Sequence, residues 1–315
     1  MFNEEEVLPE LFGRLRPVLD RIGCSYEVVA VDDGSRDGTA RLVQQVRDGW
    51  PELRLIRLMR NSGHQPALGA GLLHSHGAYV VSIDADLQDP PEDIAPMLEL
   101  AERGGLDVVY GVRSDRSSDS WMKRNTARMY YRLMRRLAGP DVPDGAGDFR
   151  LVSRRVVHAL ENLPEHGRVF RLVIPWLGFP SATHHYVRDR RHAGESKYPL
   201  SAMVRLAVDS VTSFTAAPLR FATWAGLAGG LACVSLLIYA FVAWVAGDAV
   251  PGWSSLVIAI TGLGALQLIC LGLLGDYVGR LYAIAQSRPT YLIGYDSDQE
   301  ELATAPAPMS ARRQA

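Results

Sequence analysis

Two long stretches without charged residues near the C-terminal end place the strongest limit on how this chain can fold. Residues 222–247 and 252–275 contain no Asp, Glu, Lys or Arg. Each stretch is about 25 residues long, and a helix of that length spans roughly 37 Å, more than the ~30 Å hydrocarbon core of a bilayer. A pair of buried core helices is the alternative. The short turn at residues 247–252, which contains glycine and proline, favours a hairpin of two transmembrane helices.

The basic residues around this hairpin lie on its two outer flanks. Arg205 and Arg220 precede the first stretch, Arg280 and Arg288 follow the second, and the turn carries only Asp248. By the positive-inside rule, the turn is outside the cell and both flanks are cytoplasmic. The start of the chain lacks the basic and apolar regions of a signal peptide. The sequence therefore predicts a multi-pass protein of the cell membrane whose N-terminal part and C-terminus are cytoplasmic.

Composition narrows the class of protein further. The chain has 315 residues, a net charge of −2 and 48% hydrophobic residues, which suits one large domain with an appendage rather than a disordered chain. Its three cysteines have no metal-ligand spacing and form no disulfide framework. We expect no nucleic-acid partner, and a homo-oligomer is compatible with the sequence.

The part of the chain before the hairpin alternates short apolar runs with helical patterns. Strands are predicted at residues 26–32, 53–58, 78–84 and 107–111, with helices at residues 39–47, 65–76 and 91–102. This alternation predicts an α/β fold with a doubly wound, mostly parallel sheet, in which ligands bind beyond the carboxyl ends of the strands. The first helix, headed by Asn3-Glu4, has no strand before it. Either the fold lacks that strand or the chain continues upstream.

The first loop with chemical potential is Asp32-Asp33-Gly34-Ser35, which follows a predicted strand. Its carboxylates could accept hydrogen bonds from a base or a ribose, and Gly34 allows a close approach of the backbone to a ligand. A simple strand-to-helix turn with a capping side chain explains the same residues equally well. Both interpretations stay open on the sequence alone.

The second loop, Asp84-Ala85-Asp86-Leu87-Gln88, carries the strongest local signal. Strand alternation would place Asp84 and Asp86 on one side, with Gln88 one step further. Carboxylate and amide oxygens are ligands that suit Mg²⁺ or Mn²⁺, ions that commonly complete their coordination with water and substrate phosphates. Such an ion would neutralise charge on a departing diphosphate. The alternative is an acidic surface loop that enters a helix at Pro91.

Scattered basic residues form a third group. Arg113 and Arg191 lie near glycine-containing loops, and Lys197 lies in the flexible turn at residues 194–198, so these three favour phosphate binding. Other arginines are better explained as a solvated helix face. His64 is expected only to shape the pocket, because the sequence offers it no catalytic partner.

Taken together, these motifs resemble the family 2 glycosyltransferases that act on polyprenyl phosphates, among them dolichol-phosphate mannose synthases and undecaprenyl-phosphate glycosyltransferases. The resemblance extends from Asn3 to about Tyr291, and its marks are Asn3-Glu4 and residues 32–35, 61–65, 84–92, 147–150, 194–198 and 274–280. It implies a GT-A nucleotide-sugar-binding domain, an amphipathic membrane-surface segment, a transmembrane hairpin and a partly disordered cytoplasmic tail. The corresponding ranges are residues 1–198, 199–220, 221–280 and 281–315.

The resemblance also implies a role for each matching residue. The donor would be bound by Glu4, Asp33, Asp84, Arg191 and Lys197, the metal ion by Asp84, Asp86 and Gln88, and the acceptor phosphate by Arg113 and Arg124, with Asp86 and Asp148 as catalytic residues. Asp148 matches the position of the proposed base. A phosphate monoester, however, has a second pKa of about 6 and is mostly dianionic near pH 7. We therefore expect Asp148 to orient the acceptor or a cation.

The implied activity is metal-assisted, inverting transfer of a sugar from a nucleotide-sugar donor to a polyprenyl phosphate, with Mg²⁺ or Mn²⁺ as cofactor. A processive polysaccharide synthase is one alternative, although the sequence lacks its Gln-x-x-Arg-Trp motif and further spans. An inactive membrane scaffold that retains the fold is another. The sequence leaves the donor open among UDP-glucose, UDP-N-acetylglucosamine, GDP-mannose and a modified pentose.

Overall fold

The computed structural model describes residues 1–114, 146–163, 169–187, 217–246, 252–286 and 288–299. Three predicted site residues, Arg124, Arg191 and Lys197, lie outside these ranges, as does most of the predicted amphipathic segment at residues 199–220.

The described residues include eight α-helices and seven strands. The helices are α1 (Leu8–Ile22), α2 (Thr39–Arg47), α3 (His64–Leu73), α4 (Ile94–Gly104), α5 (Arg154–Glu161), α6 (Phe170–Trp176), α7 (Ala217–Val245) and α8 (Trp253–Ala285). The strands are β1 (Val28–Asp32), β2 (Leu53–Leu58), β3 (Tyr79–Ser82), β4 (Val108–Arg113), β5 (Ala146–Ser153), β6 (Ser181–Tyr186) and β7 (Ile293–Asp296). A short 3₁₀ turn at Pro91–Asp93 leads into α4.

The strands form two sheets of mixed direction. One sheet has the order β1-β2-β7 and the other β3-β5-β4-β6. The β1–β2 and β4–β6 pairs are parallel, whereas β5 runs antiparallel to both β3 and β4, and β7 runs antiparallel to β2. The predicted mostly parallel sheet is therefore wrong. Strands β5 and β7, which the sequence pattern did not reveal, join the sheets against the direction of their neighbours.

The main core is formed by apolar side chains from both sheets and from the helices packed on them. In α1, the apolar side chains of Leu8, Leu11, Phe12 and Leu15 are buried, at the spacing of one helix face. The ring of Phe12 meets Trp50 edge-on at 5.9 Å between centroids, and Trp50 is fully buried. This packing holds α1 against the segment that leads into β2.

The start of the chain lies against the end of β1. The amino group of Met1 donates a hydrogen bond to the carbonyl of Val31 at 2.9 Å, and the amide of Asp33 donates to the carbonyl of Met1 at 2.9 Å. The expectation of a strand upstream of Asn3 stays a prediction.

Strand β7 joins the first sheet, beside β2, after the chain has left α8. Arg54 donates from its Nε and a terminal nitrogen to the two carboxylate oxygens of Asp296, at 2.9 and 2.7 Å, and both side chains are buried. The hydroxyl of Ser297 accepts a hydrogen bond from the amide of Leu55 at 3.0 Å. Part of the predicted tail is thus an ordered strand of the α/β unit.

The two long helices form a compact unit of their own, separate from the α/β unit that includes residues 289–299. The thiol of Cys270 lies 3.9 Å from the carbonyl of Ala222, and a Cβ on Gly229 would lie 3.5 Å from Leu266, so the helices pack antiparallel. Many apolar side chains on them are exposed, Leu268 to 71%. Within the described residues, one segment, Gly262–Gly279, is long and apolar enough to cross a membrane. A hairpin of two spans therefore stays a prediction.

Candidate active site

The loop after β1 is bound to the loop after β2 through Asp33. The buried Asp33 carboxylate accepts hydrogen bonds from the amides of Ser62 and Gly63, at 2.7 and 2.9 Å. Between the two loops, Gly34 has a φ of 70°, and a Cβ there would lie 2.7 Å from the carbonyl carbon of Arg60. Asp33 therefore joins the two loops and does not cap the helix that follows, which has no side-chain cap. Its contact with the donor stays a prediction.

Several predicted donor carboxylates converge on the amino group of Met1. Burial lowers the pKa of this ammonium, and the negative charges of Glu4, Asp32, Asp84 and Asp33 oppose that effect. Carboxylates from three separate stretches of sequence therefore face a common region at the carboxyl ends of β1 and β3. This is the edge of the fold where the strand pattern predicted a ligand.

The acidic loop is a turn rather than the continuation of a strand. Strand β3 ends at Ser82, so strand alternation is the wrong reason for grouping Asp84 with Asp86. The Asp86 carboxylate accepts a hydrogen bond from the amide of Gln88 at 3.2 Å, which closes the turn. Between them, Leu87 has a φ of 58° and is fully buried. A left-handed leucine is strained, and such strain is common where a loop is shaped to hold a ligand.

Gln88 carries the observation that bears on a metal ion. Its Oε1 atom is buried, and no described residue gives it a hydrogen bond. An orphaned buried oxygen is costly unless a ligand satisfies it. Among the described residues, no three His, Cys, Asp or Glu side chains are arranged to hold an ion. Two carboxylates and an unsatisfied amide oxygen in one loop are nevertheless donors of the kind that Mg²⁺ and Mn²⁺ bind together with water and phosphate oxygens. The assignment of Asp84, Asp86 and Gln88 to a metal ion stays a prediction.

Asp148, in β5, lies among positively charged groups. One of its carboxylate oxygens is 3.0 Å from Nε2 of His64 and 3.5 Å from Arg171, and the other accepts a hydrogen bond from Arg150. Burial by itself would raise the pKa of Asp148. The hydrogen bond with His64 and the charges of Arg150 and Arg171 outweigh burial and hold that pKa far below its usual value. These neighbours therefore favour the ionised form of Asp148, and its role in catalysis stays a prediction.

His64 has partners that the sequence did not suggest. Besides its contact with Asp148, its Nδ1 atom is 3.9 Å from a carboxylate oxygen of Asp84. The hydrogen bond with Asp148 raises the pKa of His64. The imidazole thus joins the acidic loop to β5. The expectation that His64 only shapes the pocket missed this link, because 84 residues separate it from Asp148.

Two arginines around Asp148 have different surroundings. Arg150 is fully buried and donates hydrogen bonds to the carbonyls of Phe170 and Gly147, at 3.0 and 2.9 Å, which makes it a structural counterion. Arg171, at the start of α6, keeps 39% of its side chain exposed. Arg171 is therefore a cation at the surface of the site, which the sequence reading did not single out.

Arg113, predicted to meet the acceptor phosphate, is the last residue of β4. Its Nε donates to the hydroxyl of Tyr186 at 3.3 Å, and a terminal nitrogen lies 3.9 Å from Asp89. About a third of the side chain is exposed (31%). The guanidinium of Arg113 is therefore partly exposed and contacts the buried side chains of Tyr186 and Asp89.

With this geometry in place, sequence comparison decides the family. Residues 1–160 match the model of the family described as glycosyl transferase family 2. The chain belongs to this family. It is a glycosyltransferase, and the carboxyl-end loops described above are the candidate active site of the family 2 member.

Relatives extend the likeness over nearly the whole chain. An uncharacterized glycosyltransferase, YkcC, of Bacillus subtilis (strain 168) is 38% identical over 294 residues, or 93% of this chain and 91% of that protein. The bactoprenol glucosyl transferase of Shigella phage SfX is 38% identical over 299 residues, or 93% of this chain and 96% of that protein. A solved glucosyl-3-phosphoglycerate synthase of Mycobacterium tuberculosis covers 68% of this chain and 76% of its own, at 19% identity and a TM-score of 0.45, too weak a likeness to assign a substrate.

Proposed function

We propose that this glycosyltransferase transfers a sugar from a nucleotide-sugar donor to a polyprenyl phosphate at the cytoplasmic face of a membrane. The observation that carries the proposal is the 38% identity with a bactoprenol glucosyl transferase over 93% of this chain. The exposed apolar surface of α7 and α8 supports a membrane location for the acceptor. The name of that relative makes a glucosyl donor the first to test.

The donor side of the proposal rests on the acidic loop. Asp84, Asp86 and Gln88 would hold Mg²⁺ or Mn²⁺, which would neutralise the charge on the leaving nucleoside diphosphate. Glu4 and Asp33 would contact the nucleotide. Arg191 and Lys197, outside the described residues, would contact the diphosphate. The orphaned Gln88 oxygen supports this arrangement because it needs a partner.

The acceptor side needs no strong base. A phosphate oxygen of the lipid attacks the anomeric carbon as the bond to the diphosphate breaks on the opposite face, which inverts the configuration. Because the acceptor has a second pKa of about 6, its attacking oxygen is already deprotonated near pH 7. Arg113, with Arg124 and the half-exposed Arg171, would bind this dianion through charge-assisted hydrogen bonds. Asp148 would keep Arg171 and His64 in place.

A direct test is a panel of nucleotide sugars with polyprenyl phosphate, read by mass spectrometry of the lipid. We expect one or more donors to give a polyprenyl-phosphate sugar. A polymer attached to the lipid would instead favour the processive synthase. A protein that binds neither Mn²⁺ nor a nucleoside diphosphate in calorimetry would favour the inactive scaffold.

The metal site has its own test with a binding readout. Asp86→Ala should abolish Mn²⁺ binding in calorimetry and abolish transfer, while the melting temperature stays close to that of the parent. Glu92→Gln is the matched control, since Glu92 belongs to the same acidic stretch but pairs with Arg14 at 2.8 Å on the surface. Normal turnover of the unmodified enzyme in EDTA would contradict metal assistance.

A further inference from the structure

A buried tyrosine and a buried aspartate support Arg113, and the proposed chemistry assigns no role to either. Tyr186 and Asp89 are each only 2% exposed. The hydroxyl of Tyr186 donates a hydrogen bond to Asp89 and accepts one from Nε of Arg113 at 3.3 Å. The donor and acceptor of this one hydroxyl group are both used, so the three side chains form a directed chain from arginine to tyrosine to aspartate.

Backbone pairing and ring packing restrict the position of the Tyr186 ring. Arg113 and Tyr186 are register partners in the parallel β4–β6 pair, and the amide of Ser114 donates to the carbonyl of Tyr186 at 2.8 Å. The ring packs edge-on against Phe149, with 5.3 Å between centroids. A Cβ on Gly111 would lie 3.1 Å from the Tyr186 ring and 2.7 Å from the Phe149 ring. The absence of a side chain at Gly111 therefore makes room for both rings.

The same hydroxyl connects two parts of the candidate site. Asp89 follows Gln88 directly and so ends the loop assigned to the metal ion and donor. Arg113 belongs to the part assigned to the acceptor phosphate. A guanidinium is planar, so a hydrogen bond that its Nε donates restricts the orientation of its two terminal nitrogens. Tyr186 therefore fixes the plane in which Arg113 can present its fork to a phosphate.

We propose that Tyr186 and Asp89 are positioning residues that hold Arg113 in the orientation required by the acceptor phosphate, and that they tie the acceptor site to the acidic loop. The proposal rests on the acceptor role proposed above for Arg113. It makes one distinctive claim: the effect of the Tyr186 hydroxyl on the KM for the lipid depends on Arg113.

Tyr186→Phe removes only the hydroxyl and keeps the ring that fills the space beside Gly111. We expect the KM for polyprenyl phosphate to rise about 10-fold, the size expected for loss of a hydrogen bond to a charged group. The KM for the nucleotide sugar and the affinity for Mn²⁺ should stay within about twofold of the parent. Asp89→Asn should raise the lipid KM in the same direction, which provides a second variant if Tyr186→Phe folds poorly.

His184→Gln is a matched control for a purely structural role. His184 lies on the same strand as Tyr186 and contacts Asp93, just after the acidic loop, at 2.7 Å. It therefore ties β6 to the same stretch of chain without touching Arg113. We expect His184→Gln to leave the lipid KM unchanged. If His184→Gln and Tyr186→Phe raise the KM for polyprenyl phosphate equally, the contact of β6 with the chain after the acidic loop explains the effect. The orientation of Arg113 would then not be the cause, and the proposal would be wrong.

A double-mutant cycle separates this proposal from the function on which it rests. If Arg113→Ala leaves the KM for the lipid unchanged, Arg113 does not bind the acceptor. The acceptor role of Arg113 and the positioning role of Tyr186 and Asp89 are then both wrong. If Arg113→Ala raises the KM but Tyr186→Phe does not, only the positioning role is wrong. We expect both single changes to raise it, and Tyr186→Phe to have little further effect when Arg113 is already alanine.

Discussion

Asp148 is surrounded by His64, Arg150 and Arg171, and these neighbours decide which proton chemistry it can perform. Because they lower its pKa, Asp148 is ionised at every pH at which the enzyme would be assayed. An effective general base has a pKa near the working pH, and Asp148 is far from that condition. Its charge instead balances the buried guanidinium of Arg150. At the scale of single residues, we therefore expect Asp148 to act through its fixed negative charge.

The first prediction concerns Asp148→Asn. Loss of an obligatory base costs roughly 10²- to 10⁴-fold in rate, whereas we expect Asp148→Asn to retain more than about 1% of the activity. Its residual rate should rise with pH around the second pKa of the acceptor phosphate, about 6. The variant should lose about 2 kcal/mol of stability, because an asparagine is a poorer partner for Arg150. Rates normalised to folded protein across a pH series provide the measurement.

One outcome would restore Asp148 as the catalytic base. An inactive Asp148→Asn enzyme that is folded and binds both the nucleotide sugar and the lipid normally would show that the carboxylate acts in the chemical step. The acid side of the pH profile of the parent enzyme gives an independent check. We expect the fall in rate on the acid side to reflect protonation of the acceptor phosphate. The lowered pKa of Asp148 keeps that carboxylate ionised over the assay range.

The second prediction concerns Gly34, where two sources of strain coincide. Gly34→Ala would place a side chain on a left-handed residue and within 2.7 Å of the backbone of Arg60. We expect a loss of about 3 kcal/mol, from the left-handed backbone and the overpacking together, and weaker binding of nucleoside diphosphate. Gly23→Ala is the control, since Gly23 has a similar φ of 77° but open space around its Cβ position. A similar cost in both variants would contradict the contact between the two loops.

At the scale of elements, β7 makes the chain after α8 a structural part of the α/β unit. The Arg54–Asp296 pair is buried, and removal of one member of such a pair leaves an uncompensated charge. Burial would raise the pKa of Asp296, but the hydrogen bond and charge of Arg54 outweigh it and lower that pKa. The ionised form is therefore the one that holds β7 on β2.

The third prediction tests this strand. Asp296→Ala should cost about 3 kcal/mol of stability and increase hydrogen exchange in Ile293–Asp296. Asp298→Ala is the control, because Asp298 also contacts Arg54, at 3.2 Å, but is 42% exposed, and its loss should cost less than about 1 kcal/mol. Equal effects of the two substitutions would contradict the importance of the buried pair.

The pH dependence of this pair has a definite sign. A carboxylate with a lowered pKa in the folded protein contributes stability above its unfolded pKa of about 3.9, and that contribution is lost as the pH falls through the folded value. The parent should therefore lose stability below about pH 4 more steeply than Asp296→Asn does. Thermal denaturation over a pH series measures the difference.

Sequence patterns located the helices and strands that have a regular spacing of apolar residues. Helix α2 and strand β2 have the predicted bounds, because each has a regular apolar pattern between turn residues. The pattern missed β5, β6 and β7. Strand β5 carries polar residues inside the fold, since Asp148 and Arg150 neutralise each other there, and β6 alternates polar residues with few apolar ones. Their pairing depends on distant partners that no local window contains.

The same limit applies to the candidate site. The acidic motif was visible because its carboxylates are close in sequence. Its local conformation was not predicted, since Leu87 is left-handed. The contacts of His64, Arg171 and Tyr186 were not predicted, because their partners are between 23 and 97 residues away in the sequence. Contacts over such separations are set by the packing of sheets and helices.

At the scale of the whole molecule, β6 before α7 and β7 after α8 belong to the same α/β unit. A folded unit lies on one side of a membrane, so the chain between these two strands must cross an even number of times. Gly262–Gly279 is one segment suited to crossing, and the antiparallel packing of α7 on α8 supports α7 as the second. The position of β7, which the sequence pattern did not reveal, agrees with an even number of crossings, and the hairpin itself stays a prediction.

The last prediction is the topology of that hairpin. In a variant whose native cysteines are replaced, Asp248→Cys should react with an impermeant thiol reagent added to intact cells. The reason is that the positive-inside rule predicts both basic outer flanks of the hairpin to be cytoplasmic. A tag placed after Ala315 should be inaccessible from outside. A variant that retains only Cys24, which is exposed in the α/β unit, is the matched control. It should be unreactive in intact cells and react once the cells are opened. Labelling of Cys24 in intact cells, with protection at position 248, would mean that the active site faces the outside and that the positive-inside assignment is wrong.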